Sequence, residues 1–329
     1  MKNNFLELLK NKPTLIADGA MGTTLFELGL QTGDAPELWN TEQPEKIKSI
    51  YRSFVDAGSD IILTNSFGGT SFRLKLHKAQ DRAFELNKKT AELAREIADD
   101  SGRMIAVAGS MGPTGELLVP MGKMTYEEAV AGFLEQAKGL KAGGADVLWV
   151  ETMSSTDEAM AAIEAGNITG LPVICTMTYD TVGKTMMGIS PEDATQTLCS
   201  LEIPPVAIGA NCGVGPTDTM LSILEMRASN PNAIIISKAN CGIPQYKDGE
   251  FFFTGTPELM GKYARIAVDA GVRIIGGCCG SSPAVIKSMA DAIDGYTPQP
   301  IDKQKIIETL GEPINLAPKK ERRRIKLKG

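Results

Sequence analysis

Ile274-Ile-Gly-Gly-Cys-Cys-Gly280 ends an apolar run, bends it on glycines and sets two adjacent thiols on the bend. The run, Val272 to Gly277, reads as a buried strand, and Ser282-Pro-Ala opens a helix behind it. Seven earlier stretches share this form: Thr14–Ala17, Asp60–Ser66, Met104–Gly109, Asp146–Thr152, Leu171–Met177, Val206–Cys212 and Ala233–Asn240. Helical spacing follows or separates them, as in Gln43–Gly58, Ala79–Gly102, Tyr126–Gly143 and Thr217–Ser229. Short, wholly apolar strands alternating with amphipathic helices predict a parallel sheet covered by helices. Eight such units fit an α/β fold of the (β/α)8 TIM barrel type, with a doubly wound sheet as runner-up. No Gly-x-Gly-x-x-Gly follows the first strand, which weighs against the runner-up. Asn3–Asn11 reads as a short capping helix.

The barrel is expected to occupy residues 1–297 as one domain. Residues 298–329 are proline-punctuated and end in the basic run Lys319–Lys328, which reads as an extended tail. The net charge of −6 gives no general attraction to nucleic acid or anionic lipid. No apolar run approaches the ~18 residues of a membrane span. The first fifteen residues lack the apolar core of a secretory signal. Six cysteines are too few for a disulfide scaffold in 329 residues, and the reading is a reducing cytoplasm.

In a TIM barrel the active site lies where the strands end. Here those ends carry Asp18, Asn65-Ser66, Glu151, Asn211-Cys212, Asn240-Cys241 and Cys278-Cys279. Cys212, Cys278 and Cys279, read as lying at two neighbouring strand ends, form a three-thiolate zinc site with an open fourth position. Cys175 and Cys199 read as small core residues. Cys241 either lines the pocket or turns into the packing. His77, the single histidine, is expected at the surface. Three thiolates on Zn²⁺ leave a net charge of about −1, a weak activator of water but suited to an exchangeable thiolate. The implied reaction is alkyl transfer to a thiol. Asp18 and Glu151 would hold a substrate ammonium, and the Asp18–Gly22 turn its carboxylate.

Taken together, Asp18-Gly-Ala-Met-Gly-Thr23, Thr64-Asn-Ser-Phe67, Gly109-Ser-Met-Gly-Pro113, Glu151-Thr152, Gly209-Ala-Asn-Cys-Gly213 and Gly276-Gly-Cys-Cys-Gly280 resemble the homocysteine S-methyltransferase family. The resemblance spans roughly residues 10 to 296 and is nearest to the N-terminal homocysteine-binding module of cobalamin-dependent methionine synthases. It implies a (β/α)8 barrel that binds zinc through Cys212, Cys278 and Cys279. It also implies an asparagine, Asn240, at the fourth zinc position before substrate arrives. The implied substrate-binding set is Asp18, Gly19, Ser66, Glu151 and Asn211.

The resemblance implies methylation of homocysteine, held as a zinc thiolate, to methionine. No folate, corrinoid or reactivation domain is expected within these 329 residues. The module alone does not specify the methyl donor; a separate methyl-corrinoid protein, or methylcobalamin, is the expected one. The alternatives are betaine or S-methylmethionine as a small donor, and a non-catalytic thiol- or zinc-binding module. A small quaternary donor would call for an aromatic cage, and the chain is only 5% aromatic.

Overall fold

The computed structural model describes residues 3–242, 244–247 and 250–314. Eight parallel strands form one sheet: β1 (Leu15–Ile16), β2 (Ile61–Leu63), β3 (Ala106–Met111), β4 (Val147–Met153), β5 (Val173–Met177), β6 (Ala207–Cys212), β7 (Ile235–Ala239) and, after a hairpin of β8 (Pro244–Lys247) and β9 (Glu250–Phe253), β10 (Ile274–Gly277). Their order is β1-β10-β7-β6-β5-β4-β3-β2. A parallel bridge from Ala17 to Ile61 joins the two ends, so the sheet closes into the expected (β/α)8 barrel.

That closing seam is short, and two aspartates complete it. Asp60 donates its N–H to Ile16 O at 2.6 Å and accepts the Ile16 N–H on Oδ2 at 3.1 Å. Asp18 donates its N–H to Ile61 O and accepts the Leu63 N–H on Oδ2 at 2.7 Å. The carboxylates thus satisfy strand N–H groups that the two-residue β1 leaves without ladder partners.

The interior follows the period of two along each strand. Leu15, Ile61, Ala106, Val147, Ile174, Ala207, Ile236 and Ile274 belong to the inner core, with Trp149 fully buried above Val147. Ala106, Ala108 and Ala207 supply the space that the indole fills. Its Nε1 donates to Thr176 Oγ1 at 3.0 Å. The helix Asn4–Asn11 plugs the opposite end with Phe5, Leu8 and Leu9, and Asn3 caps it by accepting the Leu6 N–H. Capping side chains also start the outer helices, as at Thr125 with Glu128, Ser155, Ser190 and Thr256.

Two features depart from expectation. The β8–β9 hairpin lies between β7 and its following helix, where the sequence reading had only a connection. The segment read as an extended tail contains the helix Lys303–Leu310, capped by Asp302. Ile306 and Leu310 are buried, and Thr217 Oγ1 donates to Gly311 O at 3.0 Å. Two apolar residues at i and i+4 give this short helix a face to bury, which the surrounding prolines and charges obscured. The run Lys319–Lys328 lies outside the described residues.

Removing the Phe5 ring should open a cavity beneath the barrel floor. Phe5→Ala is expected to cost about 3–5 kcal/mol in urea unfolding, with an unchanged slope. A loss below about 1 kcal/mol would show that the plug is dispensable.

Candidate active site

The inner face of β4 runs Val147, Trp149, Glu151, and that of β7 runs Ile236, Lys238. The apolar core therefore gives way, one step above Trp149, to a charged layer. Lys238 is 3% exposed, with Nζ 3.0 Å from Asp18 Oδ1 and 5.7 Å from the Trp149 ring centroid. Ser110 donates to Glu151 Oε1. Gly276 makes this layer possible: a Cβ there would stand 3.0 Å from both Lys238 Cγ and Ala17 Cβ.

Above this layer lie the thiols. Among the described residues one cluster of cysteine, histidine or carboxylate side chains has metal-ligand geometry, and it is Cys212, Cys278 and Cys279. Their sulfurs lie within 4.8 Å of one another. Three sulfurs about 2.3 Å from a tetrahedral zinc stand about 3.8 Å apart, so the set fits that ion. The loops that carry them are not neighbours, as the sequence reading had placed them. Strand β7 lies between β6 and β10, and its residues tie both loops down. Cys278 N donates to Ala239 O at 2.8 Å, and Cys241 N to Cys279 O at 3.0 Å.

Asn240 links the two sides. Its Oδ1 accepts the Cys279 N–H at 2.9 Å, and its Nδ2 donates to Gly213 O at 2.6 Å and faces Cys212 Sγ at 3.5 Å. Asn240 thus ties the two thiol-bearing loops together, and its Oδ1 keeps a second lone pair beyond the one that accepts the Cys279 N–H. Asn211, read as a substrate contact, bonds to Thr152 at the end of β4. It accepts the Thr152 N–H at 2.8 Å and donates to Thr152 Oγ1 at 2.7 Å. Thr152 and Cys212 both have left-handed backbones, with φ of 61° and 63°. Such strain, of order 1–3 kcal/mol per residue, persists only where the surroundings impose it.

A cavity of about 340 Å³ opens on this layer. Asp18, Gly19, Ser66 and Glu151 line it, as expected, together with all three thiols. Gly19 is required there, because a Cβ would fall 2.1 Å from Ser281 O. Ser66 donates to Ser110 O at 2.8 Å, which ties the β2 loop to β3. Lys238 also lines the cavity and was not singled out in the sequence. The available signal was a lysine in phase with Ile236 inside an apolar strand. His77, expected at the surface, is half-buried and also lines this cavity. Cys241 turns into the packing, 1% exposed, and Cys175 is buried in the core as read.

The electrostatics follow from burial. Burial pushes the Glu151 carboxyl up to about 7; Lys238 opposes the rise and Cys278 adds to it. Burial also raises Asp18, again against Lys238. Burial alone would lower Lys238, but Asp18, then Glu151 and Cys278, outweigh it and hold the ammonium charged. Among the thiols, Cys212 is drawn well below the usual range by hydrogen bonds from Cys278 and Cys279, then by the Asn240 amide. Donating to that sulfur raises the other two. A divalent cation would remove this competition and let all three ionise.

The arrangement defines a class first: a parallel barrel whose mouth sets three soft sulfur ligands beside a buried carboxylate–ammonium layer. The profile of the family described as Homocysteine S-methyltransferase matches residues 15–293, and the chain belongs to that family. Methionine synthase of Mycobacterium tuberculosis (strain ATCC 25618 / H37Rv) is 31% identical over 311 residues. That match takes in 88% of this chain but only 25% of that relative. The homocysteine methyltransferase MmuM from Escherichia coli, in its metallated form, superposes with a TM-score of 0.73 at 24% identity, over 88% of this chain and 99% of that one. Its oxidized form gives 0.71. At this identity the likeness concerns the fold. No helix among the described residues is long and apolar enough to cross a membrane.

Glu151 makes a pH signature. Its proton affinity is raised on folding, so its contribution favours the fold below about pH 4.5 and is lost as pH rises toward 7. Metal-free wild type should lose up to about 1.4 kcal/mol per pH unit across that window relative to Glu151→Gln. Parallel stability curves for the two proteins would remove Glu151 as the source.

Proposed function

We propose that this chain methylates homocysteine to methionine in a zinc-dependent reaction. The observation that carries the reading is the convergence of three thiols on a cavity that also presents Asp18 and Glu151. Cys212, Cys278 and Cys279 would hold the zinc. Bound there, zinc supplies thiol deprotonation at neutral pH while leaving the sulfur electron-rich.

The chain's own residues do the rest. Asp18 and Glu151 receive the substrate ammonium, and its arrival favours the ionised form of Glu151, whose proton affinity lies near neutrality. Lys238 opposes the rise that burial imposes on Asp18 and limits the negative charge of the layer. Ser110 orients Glu151, and Asn211 and Asn240 hold the strained loop ends on which the sulfurs sit. The apolar floor around Trp149 excludes water from below.

Two readings of the methyl donor part company. A methyl-corrinoid on a partner protein is supported by the match to a methionine synthase, of which this chain spans about a quarter. A small onium donor is favoured by a different observation: the outer half of the cavity carries its own charges of both signs.

Purified protein should bind one zinc per chain. Cys212→Ala, Cys278→Ala and Cys279→Ala should each lose zinc and methyl transfer together, whereas Cys175→Ala should keep both. X-ray absorption should show a fourth sulfur on the metal when homocysteine is added. Asp18→Asn and Glu151→Gln should keep zinc and raise the homocysteine KM on the order of tenfold or more. Full zinc retention in two of the three cysteine variants, or an unchanged KM in both carboxylate variants, would sink the proposal.

A further inference from the structure

The cavity extends beyond the homocysteine residues to an outer wall formed by Asp34, Glu37, Phe67, Arg73 and His77. Arg73 lies in the one-turn helix Ser71–Leu74, and His77 ends the 3-10 turn Lys75–His77 that follows it. The Arg73 backbone N–H is engaged by Thr70 Oγ1. Among the described residues, neither its guanidinium nor the His77 imidazole has a hydrogen bond or an ion pair. Burial raises the Glu37 carboxyl, and Arg73 and His77 stand close enough to oppose that rise. Glu37 is 5% exposed, and its Oε1 accepts the Gly68 N–H at 2.7 Å. Arg73 lies across Gly115 of the β3 loop, where a Cβ would come within 3.1 Å of Nη1.

None of these groups is needed for zinc, and none joins the Asp18–Glu151–Lys238 layer. A half-buried arginine with five donors and no hydrogen-bonded acceptor is matched to a carboxylate. Glu37 and Asp34 on the same wall are matched to a cation. Phe67 is the single Phe, Tyr or Trp ring lining the cavity among the described residues, so the wall offers no aromatic cage. Recognition of an onium group there rests on carboxylates, with the anion of the same molecule held elsewhere.

We propose that Arg73, assisted by His77, binds the carboxylate of a small zwitterionic methyl donor whose onium end faces Glu37 and the thiol centre. The inference rests on the methyl-transfer reading above, in its small-donor form. In the step it serves, the homocysteine sulfur attacks the methyl carbon and a C–S bond forms. The bond from that carbon to the onium centre breaks, and its electron pair stays on the departing amine or thioether. The thiol proton leaves to solvent, and no oxidant or reductant is consumed.

The test uses zinc-loaded full-length protein, homocysteine and two sulfonium probes that differ in the carboxylate: dimethylsulfoniopropionate and trimethylsulfonium. Wild type should use the carboxylated probe about tenfold or more better in kcat/KM. Arg73→Gln should erase most of that preference by raising the donor KM, with the homocysteine KM and zinc content unchanged. Arg73→Lys should restore part of it, and His77→Gln should show a smaller loss. Calorimetric titration of dimethylsulfoniopropionate into each protein, without homocysteine, reads the same subsite independently of turnover. Equal use of the two probes overturns the proposal. So does a rise in the homocysteine KM in place of the donor KM, or turnover with methylcobalamin alone that Arg73→Gln leaves unchanged. If homocysteine itself fails to bind the zinc-loaded protein, the methyl-transfer reading fails instead. Calorimetry then decides the Arg73 subsite, and no binding of the carboxylated probe by wild type overturns it.

Discussion

A lysine ammonium inside the barrel, 3.0 Å from Asp18 and set against Trp149, is the interaction on which the site depends. Two carboxylates and three sulfurs share a space closed to water from below. Burial raises the proton affinity of both carboxylates, and the resident cation opposes that rise. With Lys238 in place, Asp18 serves two purposes at once. One oxygen completes the β1–β2 seam through the Leu63 N–H, and the other faces the cation layer. Closing the barrel and charging its mouth are therefore the same structural event.

Strand β7 extends this logic upward. Lys238 enters the barrel from it, and the residue after its end, Asn240, fastens the loops of both flanking strands. Its position is held from behind by Tyr263, whose hydroxyl is 2.6 Å from Ser237 Oγ and accepts the Ala239 N–H. The thiols thus meet across a strand that contributes no sulfur. The strained backbones of Cys212 and Thr152 fit this picture, since side-chain amides on both sides hold them in place.

The alternation of apolar runs and helices made the barrel legible, because a parallel sheet buried on both faces leaves continuous apolar strands. The thiols were legible because glycine bends are poor places for core cysteines. Asp18 and Glu151 were legible by their place at strand ends. Lys238 was not, because a single lysine within Ile-Ile-Ser-Lys-Ala reads as a strand irregularity until its partners are known. That His77 lines the cavity was not legible either, because a loop histidine carries no pattern that says which way the loop folds. Asn211 and Asn240 were legible as strand-end amides, but the partners they bind were not. Their hydrogen bonds go to backbone and side-chain groups of other loops, which only folding brings near.

The sequence by itself determined the fold class, the three-sulfur centre and the carboxylates beside it, since each is written in local pattern and spacing. The tertiary structure decided the order of strands between the sulfurs, the cation that balances the layer, the helix Lys303–Leu310 and the charged outer wall. Those depend on contacts between residues far apart in the chain, such as Asp18 with Lys238 or Glu37 with Gly68. Pairing of that kind is set by closure of the barrel, and no periodicity along the chain encodes it.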